Sequence, residues 1–260
     1  MTGNDAAQYL ATFNENGKLN DEEGFIFGTG ADEVAGICVC WMATTPAVAD
    51  AIAEGCNLIV CHEALTYWDY PGWKANVKAT EPWESDGNRL ALLEANGISV
   101  LRAHSTIDPT HVGPALWDAL DLPEPQFSGW VYSHHTIKQT TVAELAARIR
   151  TGLDMDHVRV TGDPQRQVTE VGTCWGGGGL DRNMHIWEEK LFDRGIEALI
   201  VGETCDFAQR FAMENDLPLL EAGHSVSEDP GLERLAEDMR NRFTDTRVVF
   251  RRQEVPWVTL

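Results

Sequence analysis

The residues best placed to do chemistry in this chain are imidazoles and carboxylates that follow short apolar runs. His62 and Glu63 come directly after Asn57–Cys61, and His104 and Asp108 after Ile98–Leu101. Glu203 follows Ala198–Val201, and His224 and Glu228 follow Leu217–Leu220. In an open α/β sheet, ligands bind in the crevice outside the carboxyl ends of the strands, where these residues would fall. Imidazole nitrogen and carboxylate oxygen are donors that hold divalent transition metals. The set exceeds what one tetrahedral ion uses. Two ions sharing bridging carboxylates would use it all and generate bound hydroxide near neutral pH. Each residue alone also has a plainer reading. Glu63 could be solvated, Asp108 could cap the turn before Pro109, and Glu228 could favour a helix start beside Asp229-Pro230. Their recurrence at matching strand ends favours the metal.

Other candidates carry less. Gly176–Gly179 follows a strand but lacks the Gly-Lys-Ser/Thr of a phosphate loop, so it reads as a turn or as close backbone approach to a substrate. His134 and His135 face opposite sides of a strand, which suits structural roles. His111 lies close to Asp108 and is a further site candidate, whereas His157 and His185 read as surface groups. Tyr67, Trp68, Tyr70 and Trp73 could wall a pocket or fold into a small core of their own. The six cysteines include no Cys-x-x-Cys pair and sit mostly in apolar runs, so they read as buried, reduced thiols.

The elements that must position these groups alternate. A strand over Val34–Met42 leads through Thr45-Pro46, a cap and a first-turn proline, into a helix over about 46–54. The run 57–61 is the next strand, a helix covers about 88–94, and Ile98–Leu101 is a strand again. In the middle, Trp130–Lys138 reads as a strand, and Thr141-Val-Ala-Glu144 has capping-box spacing for a helix to about Arg150. Val158–Val160 and Val168–Cys174 are strands. Helices near 184–194 and 205–214 flank the strand Ala198–Val201. Leu217–Leu220 is the last strand, and a helix over Pro230–Phe243 closes the pattern. Strands alternating with helices indicate an α/β fold. The segment Leu93–Ser105 echoes Ala212–Ser225, which pairs His104 with His224. Glu54–His62 echoes Gly195–Glu203. Two such echoes in the same order indicate two related α/β halves.

The chain has 260 residues, with Lys+Arg 20 against Asp+Glu 41 and a net charge of −21. That charge disfavours nucleic acid and anionic membrane surfaces as partners. No run reaches the ~20 apolar residues of a membrane span, and the first residues lack a signal pattern, so a cytoplasmic protein is expected.

These motifs resemble those of the Nif-three-like dinuclear-metal proteins, which carry the name of type-two homologues of GTP cyclohydrolase I. The family's Ser-His-His-Pro matches Cys61-His62-Glu63-Ala64, and its His-Thr-x-x-Asp matches His104–Asp108. Its Gly-His-x-x-x-Glu matches Gly223–Glu228, and its Thr-Gly-Glu matches Val201–Glu203. The glycine segment and Glu23-Gly24-Phe25 also fall in place, so the likeness runs from about 20 to 245. The resemblance implies two similar α/β halves with mixed sheets flanked by helices. They would cover residues 1–125 and 181–260, with 126–180 shared and no inserted domain. It implies a homohexamer and two divalent ions per chain (iron, manganese, zinc or magnesium) held by His62, Glu63, Asp108, His224 and Glu228. His104 and Glu203 would lie nearby as proton-handling groups. Glu63 stands where the family has a second His, and Ala43 where it has an Asp. A carboxylate at Glu63 shifts preference from zinc toward iron, manganese or magnesium. The expected function is metal-dependent hydrolysis of a small cyclic or amide-like substrate by metal-bound hydroxide. The alternatives are a non-enzymatic metal-binding scaffold or chaperone and a GTP cyclohydrolase-like activity.

Overall fold

A computed structural model of the chain describes residues 1–67 and 83–258. The chain divides into two units: Met1–Ile107 with Leu232–Gln253, and Asp108–Gly231 with the tail from Glu254. Each holds one mixed sheet flanked by helices.

The first unit runs α1 (Gly3–Ala11), β1 (Gly24–Phe27), β2 (Gly36–Cys40), α2 (Thr45–Ala53), β3 (Leu58–Cys61), α3 (Glu84–Ala95) and β4 (Ser99–Arg102). In the second unit α4 (Gly113–Ala119), β5 (Phe127–Ser128), β6 (Tyr132–Thr141), α5 (Val142–Gly152), β7 (Arg159–Thr161) and β8 (Gln167–Cys174) come first. It continues with α6 (Met184–Ile186), β9 (Ala198–Val201), α7 (Asp206–Glu214) and β10 (Leu219–Glu221). Helix α8 (His224–Arg242) begins in the second unit and ends in the first, where β11 (Arg247–Arg251) follows.

The first sheet has the order β1-β4-β3-β2-β11. Only β1 is antiparallel to its neighbour. Strands β2 and β3 are buried along their whole length, so their sequences are continuous apolar runs rather than alternations. Cys38, Cys40, Ile59 and Cys61 share a core with Ala47, Val48 and Ala51 of α2. That helix starts one residue earlier than its sequence suggests. Thr44 caps it, accepting from the Ala47 amide at 3.4 Å, and Pro46 follows in the first turn.

The second sheet has the order β5-β6-β8-β9-β10-β7. Its centre, β8-β9-β10, is parallel and its flanks are antiparallel. The capping box of α5 is present: Thr141 Oγ1 accepts from the Glu144 amide at 3.1 Å, and the Glu144 carboxylate accepts from the Thr141 amide at 2.8 Å. The expected helix over 184–194 is instead three short pieces: α6, a π-helical turn at Trp187–Leu191 and a 3-10 turn at Phe192–Arg194. The last helix also differs. It starts at His224 and carries Pro230 inside, where the ring removes one amide from the helical ladder.

Candidate metal centre

Parallel register explains how the first unit gathers its donors. Cys61 of β3 pairs with Arg102 of β4, so His62-Glu63 and His104 leave the sheet at the same edge. The rings of His62 and His104 lie 4.5 Å apart, centroid to centroid. One donor atom from each of His62, Glu63 and His104 lies within 4.8 Å of the others. His62 is fully buried and Glu63 nearly so, while His104 is half-buried.

A layer of residues outside these three holds them in place. Arg102 Nε donates to the His62 carbonyl at 3.0 Å, and its Nη2 lies 4.0 Å from the Glu63 carboxylate. The Glu23 carboxylate accepts from the backbone amides of His104 at 2.7 Å and Thr106 at 2.8 Å. Glu22 Oε1 accepts from Ser105 Oγ at 2.6 Å and lies 3.4 Å from His104 Nδ1. Burial alone would raise the Glu22 carboxyl, but hydrogen bonds from Ser105 and His104 outweigh it and hold it below its ordinary value. Buried Asp86 and Arg89 of α3 fasten the loop after Glu63. Asp86 accepts from the Tyr67 amide at 3.2 Å, and Arg89 donates to the Leu65 carbonyl. Cys61, beside His62, is buried, which pushes its thiol up to about 12 and leaves it no nucleophile. Trp68, Tyr70 and Trp73 lie outside the described residues.

The second unit gathers a comparable set. Cys174, Val201 and Glu221 stand level across β8, β9 and β10, so the segments after them emerge together. His224 Nδ1 lies 3.3 Å from the Glu203 carboxylate, and its Nε2 lies 3.5 Å from buried Glu228. The glycine run makes room for this. Gly176 has a φ of 55°, and a Cβ there would sit 1.9 Å from Glu228 Oε1 and 3.1 Å from His224 Nε2. The run therefore serves close backbone approach, to these side chains. Asp108 is buried and opens a π-helical turn, Asp108–Val112. His111 is buried in the same turn, with Nδ1 2.9 Å from Thr110 Oγ1.

His134 and His135 are structural groups. His134 Nε2 lies 2.7 Å from Glu170. His135 is fully buried, with Nδ1 2.7 Å from the Pro123 carbonyl and Nε2 2.6 Å from Ser133 Oγ. A carbonyl only accepts, so Nδ1 carries the hydrogen and Ser133 donates to Nε2. His157 and His185 are exposed. Nothing in the periodicity or motif spacing gave Glu22 or Arg102 these positions, because both act on residues distant in sequence or on backbone atoms.

Buried imidazole and carboxylate donors gathered at strand ends fit a divalent cation. A cradle that admits only glycine beside two of them supports the same conclusion. The family model Duf34/NIF3 (NGG1p interacting factor 3) matches residues 3–256, and the chain belongs to that family. A protein of Neisseria meningitidis named "GTP cyclohydrolase 1 type 2 homolog" is 26% identical over 220 residues, covering 82% of each chain. The fold matches a Bacillus cereus protein related to NIF3, with a TM-score of 0.82 at 13% identity over 100% of this chain and 99% of that one. It also matches Staphylococcus aureus protein SA1388, with a TM-score of 0.80 at 18% identity over the same shares of each chain.

Proposed function

We propose that this protein is a divalent-metal-dependent hydrolase of a small cyclic or amide-like substrate. The observation that carries the reading is the burial of imidazoles and carboxylates together at the C-terminal ends of parallel strands, a costly arrangement unless a cation compensates it. In this reading His62, Glu63, Asp108, His224 and Glu228 are the ligands. Bound ions would polarise a substrate carbonyl and lower the pKa of water. Glu203, the most exposed carboxylate of its set, holds the His224 ring through Nδ1 and is open enough to exchange a proton with solvent. We further propose a homohexamer in the cytoplasm, without nucleic-acid or membrane partners.

The test is elemental analysis of fresh, tag-free protein, followed by turnover of a panel of lactams, cyclic imides and GTP with and without chelator. GTP belongs in the panel because of the name its Neisseria relative bears. Metal in the protein and chelator-sensitive turnover of one substrate class support the reading. Protein that holds no metal and takes none up overturns it. Protein that holds metal but turns over nothing in the panel favours a binding scaffold.

A further inference from the structure

We infer that Arg182 is a specificity-determining residue beside the second unit's donors, and that the substrate carries a carboxylate or phosphate group which its guanidinium takes. The inference rests on the proposed metal dependence and names the substrate's charge, which that reading leaves open.

Gly177 is where arginine and histidine meet. A Cβ built there would stand 3.2 Å from Arg182 Nη2 and 3.5 Å from His224 Cε1, so guanidinium and imidazole flank one point. Cε1 lies between the two ring nitrogens of His224, of which Nδ1 faces Glu203 and Nε2 faces Glu228. Arg182 therefore reaches the edge of the donor set without belonging to it. A guanidinium offers only N–H donors and holds no cation.

The turn that presents Arg182 is tied to the glycine run. Asn183 Nδ2 donates to the Gly177 carbonyl at 2.7 Å, and the Leu180 amide donates to the same oxygen at 3.1 Å. The Arg182 amide donates to Asp181 Oδ1 at 2.9 Å. His185 Nδ1 donates to the Arg182 carbonyl at 3.0 Å, and Trp187 Nε1 donates to the Gly178 carbonyl at 3.0 Å. The backbone of Arg182 is thus held in place against the glycines, while the residue itself is exposed and within reach of a ligand in solution.

Charge and shape select that ligand. A net charge of −21 repels anions, and Glu203 and Glu228 add negative charge beside His224. Arg182 brings a permanent positive charge to this edge. Its planar fork of N–H groups matches a carboxylate or phosphate through paired hydrogen bonds. A substrate whose amide sits at the donors and whose anionic group lies on a short arm would meet both. An uncharged amide of the same size would leave the guanidinium unused.

The experiment measures, by calorimetry, the binding of metal-seeking probes to the full-length, Mn(II)-loaded protein. The probes are acetohydroxamate, with an uncharged tail, succinic monohydroxamate, with a carboxylate tail, and phosphonoacetohydroxamate, with a phosphonate tail. Wild type is compared with Arg182→Gln and Arg182→Lys, and melting of each variant reports whether it folds. Wild type is expected to prefer one anionic-tailed probe over acetohydroxamate by about 10-fold or more. The preferred tail assigns carboxylate or phosphate. Arg182→Gln should lose the preference and bind acetohydroxamate as the wild type does. Arg182→Lys should keep part of it, since a point charge lacks the paired bonds. If Arg182→Gln does not fold, the wild-type preference and its partial loss in Arg182→Lys decide. A metal-loaded wild type that shows no preference, or binds no probe, overturns the inference and leaves metal dependence standing. So does a preference that survives Arg182→Gln, or an equal weakening of all the probes in that variant, which would mark a structural role. A wild type that binds no divalent ion overturns both.

Discussion

Glu63 stands where the motif it resembles has a second histidine, and its chemistry is testable alone. An oxygen donor is harder than an imidazole nitrogen, so the native site should favour iron or manganese over zinc more than a two-histidine version would. Glu63→His should therefore bind metal but shift the bound ratio toward zinc. Elemental analysis after refilling from an equimolar mixture reads this directly, and an unchanged ratio would remove Glu63 from the ligand set. His135 supports a second residue-level prediction. Burial, opposed only in part by its bond to Pro123, lowers its pKa from 6.5 to about 4. Between those values the unfolded chain takes up a proton that the folded chain refuses. The stability tied to neutral His135 is thus whole above pH 6.5 and declines as pH falls toward 4. By pH 5 the loss is about 2 kcal/mol. Urea denaturation at pH 7.5 and pH 5 should show it, and His135→Gln should remove that part of the difference. An equal difference in the variant would mean that other groups carry it.

At the scale of elements, the glycines at the strand ends of the second sheet are expected to be the least replaceable. A Cβ on Gly202 would meet the Gly176 backbone at 2.3 Å and 2.4 Å, and backbone cannot swing aside. Gly55 also has a left-handed φ, of 71°, but open space around it. Gly55→Ala should cost about 1 kcal/mol from backbone strain alone. Gly202→Ala should cost about 3 kcal/mol and weaken metal binding, because it pushes Gly176 away from its place against Glu228. Chemical denaturation and metal titration of both variants check the ranking, and equal costs would refute it. The same scale shows what the sequence discloses. Strands β3, β4 and β9 are short apolar runs closed by turn residues, and each lies within a residue or so of its sequence reading. The edge strands β1 and β11 escaped, since their apolar runs are only three residues each, Phe25–Phe27 and Val248–Phe250, and are mostly only partly buried. Helix α1 escaped as well, although Thr2 and Asp5 form a capping box at its start. Pro230 misled in the opposite direction, because a proline that reads as a first-turn residue lies inside α8. The candidate donors were legible as polar residues following apolar runs. Glu22 and Arg102 were not, because Glu22 meets His104, 82 positions away, and Arg102 meets His62, 40 positions away, and only strand pairing makes them neighbours.

For the whole molecule the dominant quantity is charge. The chain has 41 acidic and 20 basic residues, only five of them lysine, and a net charge of −21. Arginines on the surface are paired where acids permit, as in Arg210–Asp206 and Arg166–Asp216. Such exposed pairs contribute little, about 0–1 kcal/mol each. The unpaired carboxylates repel one another, and folding concentrates them. Salt screens both effects. With twice as many acids as bases, the relief of repulsion should outweigh the loss of the pairs. The Debye length falls from roughly 30 Å at 0.01 M to about 8 Å at 0.15 M, so most of the relief should arrive within that interval. The expected result is a melting midpoint that rises by several degrees between 0.01 M and 0.2 M KCl, then flattens. A steady rise to 1 M would instead indicate a general strengthening of apolar burial, as excluded salts produce. A falling midpoint would show that attractive pairs outweigh repulsion, and the acidic excess would then be harmless to the fold. The metal-free protein is the right sample, since neutralising buried carboxylates with bound ions would remove part of the effect.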